Sequence, residues 1–212
     1  MNNKIAQIET AIEKAMFQES KLSAEILSLE GMSSPRVRHL LNNLGSISKS
    51  YFEVGSWKGA SLISTCFGNE LLHLACDNFT EFNPEGDIKH ELINNCARFV
   101  DLLLIDDDCW KLNELPFKPD LFLFDGGHSV EDHEKALTHF APMLADECVV
   151  VIDDHGQDPG FSSVVEGTNR GLELIKETHD VLYRSELFTF EEENHVRLWW
   201  NGLLVLLLKR KA

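Results

Sequence analysis

From residue 50 onward, short apolar runs alternate with stretches of helical periodicity, and most of the apolar runs stop at a glycine or an aspartate. Tyr51–Val54, Leu71–Cys76, Asp101–Ile105, Leu121–Phe124 and Cys148–Ile152 read as strands, and about 58–67, 86–98, 131–144 and 162–177 read as helices. Strands separated by helices are joined by right-handed crossovers, and crossovers make a parallel sheet. The end of the chain departs from this pattern. Asp180–Phe190 and Leu198–Leu208 are two apolar runs joined by the polar stretch Glu191 to His195, too short for a crossover, so they are expected to pair antiparallel.

Residues 1–45 have another texture. Ile5, Ile8, Ile12 and Met16 recur at helical spacing, as do Leu22, Ile26 and Leu29, and Ser34-Pro35 has the form of an N-cap followed by a first-turn proline. They are expected to form an N-terminal helical extension over 1–45, either a layer covering the sheet or a cap over a site. Residues 46–212 are expected to form the main domain.

The 212 residues carry 19 Lys and Arg against 35 Asp and Glu, a formal net charge of −16. An enzyme of nucleic acid needs a basic footprint for phosphates, and the one concentrated basic run is the terminal Lys209-Arg210-Lys211. A small-molecule substrate is therefore expected and nucleic acid is not. No apolar run reaches the roughly 18–20 residues that span a bilayer, and the first residues lack the apolar stretch of a signal peptide, so no membrane partner is expected. The five cysteines are scattered without a C-x-x-C pair, as in a reduced, cytoplasmic chain. A homo-oligomer remains open.

The chemistry gathers where strands end. The first strand runs into Glu53-Val54-Gly55-Ser56-Trp57-Lys58-Gly59-Ala60-Ser61, and glycines at a strand-to-helix turn let backbone approach a ligand. The second ends at Asp77, 24 residues after Glu53, where a carboxylate can accept two ribose hydroxyls. The third ends in Asp106-Asp107-Asp108, which also suits a solvated acidic loop. The fourth and fifth end in Asp125-Gly126-Gly127-His128 and Asp153-Asp154-His155. Strand ends of an open parallel sheet converge on one crevice, where clustered carboxylates repel and raise one another's pKa. A hard divalent cation such as Mg²⁺ relieves that repulsion, and the histidines leave Mn²⁺ open.

The spacing E-x-G-x-x-x-G from Glu53 resembles motif I of the class I S-adenosylmethionine-dependent methyltransferases. The resemblance implies a Rossmann-like α/β fold, with a seven-stranded sheet in order 3-2-1-4-5-7-6 and the last strand antiparallel. It implies S-adenosylmethionine as cofactor, bound by Glu53, Gly55, Ser56, Trp57, Gly59, Ser61, Asp77, Asp107 and Asp125. The offsets of 28 and 29 residues from Asp125 to Asp153 and Asp154 resemble the metal-dependent catechol and sugar O-methyltransferases. They imply a metal held by Asp125, Asp153 and Asp154; the third ligand is Asn in the catechol enzymes and Asp in the sugar enzymes. The wording around Asp125-Gly126-Gly127-His128-Ser129 also resembles a broad methyltransferase family with an IDG-x-H-S signature. Where the catechol enzymes carry a catalytic Lys this chain has His128, and where the sugar enzymes carry an acidic base it has Gly127. A neutral histidine can act as general base at neutral pH, so His128 is the catalytic candidate, against a structural loop role. His133 and Asp132 are expected on a solvated helix face, and Trp199 and Trp200 in the core.

The expected activity is methyl transfer to a small-molecule hydroxyl with divalent-metal assistance. The alternative is a non-catalytic S-adenosylmethionine-binding or regulatory protein. A nicotinamide oxidoreductase is disfavoured by the missing G-x-G-x-x-G.

Overall fold

A computed structural model of the chain describes residues 3–83, 86–156, 159–188 and 198–212. Three helices come first: α1 (Asn3–Met16), α2 (Ala24–Leu27) and α3 (Pro35–Ser46). Then follow β1 (Ser50–Val54), α4 (Ala60–Cys66), β2 (Leu72–Cys76), α5 (Ile88–Cys96), β3 (Leu104–Ile105), β4 (Leu121–Phe124), α6 (Val130–Phe140), β5 (Glu147–Asp153), α7 (Ser162–Ile175), β6 (His179–Leu187) and β7 (Leu203–Arg210). The seven strands form one sheet in the order β3-β2-β1-β4-β5-β7-β6. β7 runs antiparallel to both β5 and β6, and the other neighbours are parallel. This is the class I methyltransferase topology.

Alternation along each strand divides the core in two. Tyr51, Leu121, Leu123, Val149 and Val151 point to one face and pack with Ile8, Leu40, Leu44, Leu62, Ile63 and Leu92 of α1, α3, α4 and α5. Phe52, Phe122, Phe124, Val150 and Ile152 point to the other and pack on Leu137, Phe140 and Val164 of α6 and α7. Both faces of β1, β4 and β5 are covered, which is why these strands read as apolar runs rather than as alternations. The N-terminal helices thus lie in the layer against the sheet.

Several boundaries move for local reasons. The helix expected from residue 58 starts at Ala60, because Gly59 (φ 88°) is its left-handed N-cap. The helix expected to residue 144 stops at Phe140 and tightens into a 3₁₀ turn, Ala141–Met143, at Pro142. The third strand shrinks to two residues at the sheet edge. Ser34 caps α3 as its sequence predicts, accepting from Val37 N at 3.2 Å. The final strand begins at Leu203 rather than Leu198, and the connection through residues 191–195 lies outside the described residues. No helix among the described residues is long and apolar enough to cross a membrane.

Candidate active site

The first loop is shaped by contact with its neighbours. Gly55 (φ 86°) sits so close to the end of β4 that a Cβ on it would lie 1.7 Å from the Asp125 carbonyl oxygen. Only glycine fits both the left-handed backbone and that approach. Beyond it the Trp57 amide donates to Asp77 Oδ2 at 2.8 Å, and the Phe79 amide donates to Oδ1 at 2.7 Å. Asp77 therefore ties the loop after β1 to the loop after β2. Each oxygen keeps a further lone pair for a ligand hydroxyl.

Glu53 has a different place. It is fully buried beneath the loop, accepting from the Tyr51 hydroxyl and from Ser61 Oγ, the latter at 3.1 Å. Burial pushes its carboxyl up to about 7.

Asp107 accepts from Lys111 Nζ at 2.6 Å and from the Asp108 amide at 2.8 Å, and the Lys111 bond holds its pKa below the usual carboxylate range. Asp108 caps the 3₁₀ turn Cys109–Lys111, and Asp106 points to Lys89. Trp110, in that turn, packs against Phe124 and Phe140.

The ends of β4 and β5 bring the other acids together. Donor atoms of Asp125, His128 and Asp154 all lie within 4.8 Å of one another. Nε2 of His128 is 2.7 Å from Asp154 Oδ2, and Asn201 Nδ2 donates to Asp154 Oδ1 at 2.8 Å. Asp154 holds a left-handed backbone (φ 56°), which turns the chain after β5 towards the cavity. Asp125 and Asp153 lie side by side and each raises the cost of ionising the pair. Burial first, then the neighbouring carboxylates, push Asp125 well above the carboxylate range and Asp153 to about 8. Asp153 Oδ1 is buried with no partner. The His128 pKa is raised, chiefly by its bond to Asp154. The expected trio is thus reshaped: His128 stands within the donor set, and Asp153 stands beside Asp125.

A single cavity of about 560 Å³ joins these groups. Of the residues expected at the site, Gly55, Trp57, Asp77, Asp107, Asp125, His128, Asp153 and Asp154 line it. Ser56 and Ser61 line a smaller pocket of about 30 Å³ that also touches Gly55, Asp125 and Asp153. Glu53 and Gly59 line neither. His133 is not on a solvated face: it is buried against Phe124, and burial lowers its pKa to about 4. Asp132 closes a capping box with Ser129 at the start of α6. His155 is buried and stands away from the cavity. Trp199 is buried as expected, whereas Trp200 and Asn201 line the cavity.

Sequence reasoning missed Met32, Glu81, Phe82 and Phe161, which also line it. Met32 comes from the α2–α3 connection, where no periodicity marks a wall. Phe82 carried one signal, a large apolar residue between polar ones, and it is 59% exposed.

Residues 52–155, from β1 to the turn after β5, match the family model described as a methyltransferase domain. The matched stretch is just under half of the chain. No curated protein matches the chain. Among solved structures, the domain and its flanks resemble a putative S-adenosylmethionine-dependent methyltransferase from Streptococcus mutans, with 13% identity and a TM-score of 0.58 over 82% of this chain and 48% of that one. This chain spans about half the length of that protein. An O-methyltransferase from Bacillus cereus, in complex with S-adenosylhomocysteine, gives 14% and 0.57 over 96% and 91%. The O-methyltransferase TomG from Streptomyces achromogenes, in complex with S-adenosylmethionine, gives 16% and 0.54 over 96% and 89%. At such identities the likeness carries the fold.

Proposed function

We propose that this methyltransferase domain transfers the methyl group of S-adenosylmethionine to a hydroxyl of a small molecule, at a divalent-cation site beside the donor. One observation carries the reading: a continuous cavity runs from Gly55, Trp57 and Asp77 to the carboxylates at the ends of β4 and β5. A donor on the first group of residues and an acceptor at the second would face each other in one space. Holding two reactants in line supplies up to roughly 7–11 kcal/mol of a bimolecular barrier.

The residues suit a hard cation. Asp125, His128 and Asp154 offer three donors in reach of one point, and Asp153 Oδ1 is a buried carboxylate oxygen without a partner. Burial and mutual repulsion raise the pKa of both Asp125 and Asp153, and a divalent ion would relieve that repulsion and could take the place of the His128–Asp154 bond. When bound, such an ion lowers the pKa of a hydroxyl placed on it. Were Asp125, Asp153 and Asp154 to hold the ion, His128 would stay outside the ligand set, lose the partner that holds its proton, and offer a neutral ring nitrogen as the base. On the donor side, Asp77 would accept the ribose hydroxyls, and the glycine turn at Gly55 lets backbone meet the amino-acid moiety.

The test is detection of S-adenosylhomocysteine across a panel of diols, phenols and sugars, with Mg²⁺, with Mn²⁺ and with chelator. Product that appears with metal and vanishes with chelator is the expected result. Full turnover in chelator would remove the cation from the mechanism. Tight S-adenosylhomocysteine binding with no turnover on any acceptor would leave a cofactor-binding protein instead.

A further inference from the structure

The cavity is strongly one-sided in charge. Eight of the residues lining it are Asp or Glu, and none among the described residues is Lys or Arg. Most of these carboxylates are already engaged. Asp77 and Asp108 accept backbone amides, Asp107 pairs with Lys111, and Asp132 belongs to its capping box. Asp125, Asp153 and Asp154 form the cluster described above. Glu81 differs, having neither a hydrogen bond nor an ion pair among the described residues.

Glu81 stands at the cavity mouth in the loop after β2, close enough for its charge to be felt at His128. The next residue, Phe82, holds a left-handed backbone (φ 49°), and its carbonyl receives the Trp57 indole N–H at 3.3 Å. Left-handed backbone in an aromatic residue costs energy, and here it leaves a large apolar ring exposed on the rim. Phe161 and Trp200 also line the cavity, so its walls carry aromatic rings as well as carboxylates. Deeper in the same space, Asp153 Oδ1 is buried without a partner, so the site holds an unsatisfied acceptor below the exposed carboxylate of Glu81.

We propose that the acceptor half of this cavity selects a hydroxyl acceptor bearing an ammonium group, with Glu81 as its charge partner and Phe82 as a ring face, and rejects acceptors bearing a carboxylate or phosphate. The proposal rests on the methyl-transfer reading above and adds the charge of the substrate. A cleft lined by one sign of charge within low-dielectric walls concentrates ligands of the opposite sign and repels its own. An ammonium also gains from an aromatic face, which a carboxylate does not. One divalent ion and the sulfonium of the donor do not neutralise the cluster and Glu81 together, so the bias outlasts their binding.

The experiment is calorimetry on the full chain loaded with S-adenosylhomocysteine and Mn²⁺, using three probes with one ring and different charge: dopamine, catechol and dihydroxyphenylacetate. Dopamine is expected to bind on the order of ten-fold more tightly than dihydroxyphenylacetate, with catechol between them. Glu81→Gln is expected to erase the gap between dopamine and catechol, and its affinity for S-adenosylhomocysteine reports that the site is still formed. Dihydroxyphenylacetate binding as well as dopamine would overturn the charge selection alone. So would a dopamine preference that survives Glu81→Gln. A chain that binds S-adenosylhomocysteine but none of the three probes would overturn this proposal and the hydroxyl-acceptor reading together.

Discussion

Two buried carboxylate sites lie on either side of the same glycine loop, and they are finished differently. Beneath the loop, Glu53 is enclosed with two hydroxyl donors, Tyr51 and Ser61, and lines neither pocket described above. Beyond the loop, Asp125, Asp153 and Asp154 have mostly one another, one histidine and one asparagine. Both sites pay for desolvation, but only the second leaves a buried carboxylate oxygen without a partner and opens on the large cavity. A buried carboxylate that the chain satisfies by itself holds structure together. One that the chain leaves short of partners is arranged for something that arrives later.

The largest effect that sharpens this contrast is a pH dependence at Glu53. Its ordinary pKa lies near 4.5, and in the fold it rises to about 7. Below that window, folded and unfolded chains both carry the proton. Within it the unfolded chain releases the proton and the folded chain retains it, so stability falls as pH rises and levels off above the folded value. Relative to Glu53→Gln, the wild type is expected to lose on the order of 3 kcal/mol between about pH 4 and pH 8. Denaturant unfolding across that range measures it. Parallel curves for the two proteins would mean that Glu53 titrates normally and that the two sites are not different in kind.

A somewhat smaller effect belongs to the second site. Mn²⁺ at about a hundred times its dissociation constant is expected to stabilise the wild type by about 2.7 kcal/mol, on the order of 8 °C in melting temperature. Asp154→Asn keeps a residue that tolerates the left-handed backbone and removes the charge, so most of that rise should disappear. Glu53→Gln should retain the rise. An equal metal response in Asp154→Asn and the wild type would put the cation elsewhere.

The smallest effect tests the support of the cluster. Asn201 Nδ2 fixes one oxygen of Asp154 and leaves the other on His128. Asn201→Ala is expected to weaken Mn²⁺ binding by about ten-fold, the lower end for a lost outer partner of a ligand, with S-adenosylhomocysteine affinity retained. Titration calorimetry with each ligand separates the two. Loss of both affinities together would make Asn201 a general support of the fold.

Much of this molecule is legible in its sequence, and the reason is local. The strands β1, β4 and β5 are apolar runs because both faces of the sheet are covered there, and the acids at the strand ends follow from where a parallel sheet opens. Gly55, Asp77, Asp125 and Asp154 could be picked out because each sits one step past a strand, and His128 because it lies in the loop that follows Asp125. What the sequence could not assign is the partner of each side chain. Glu53 belongs to the same motif as Gly55, yet the pleat of β1 turns it under the loop towards Tyr51 and Ser61. His133 looks like a surface residue on a helix until α7 packs over it. Met32, Phe82 and Asn201 come from three segments far apart in the chain and meet only because the sheet order brings β7 beside β5 and the N-terminal layer over the first loop. Periodicity and strand-end chemistry act between near neighbours, so the sequence by itself determined the sheet and its reactive edge. The donor set around Asp154, the burial of Glu53 and the walls of the cavity depend on contacts between distant residues, and those were decided by the tertiary structure.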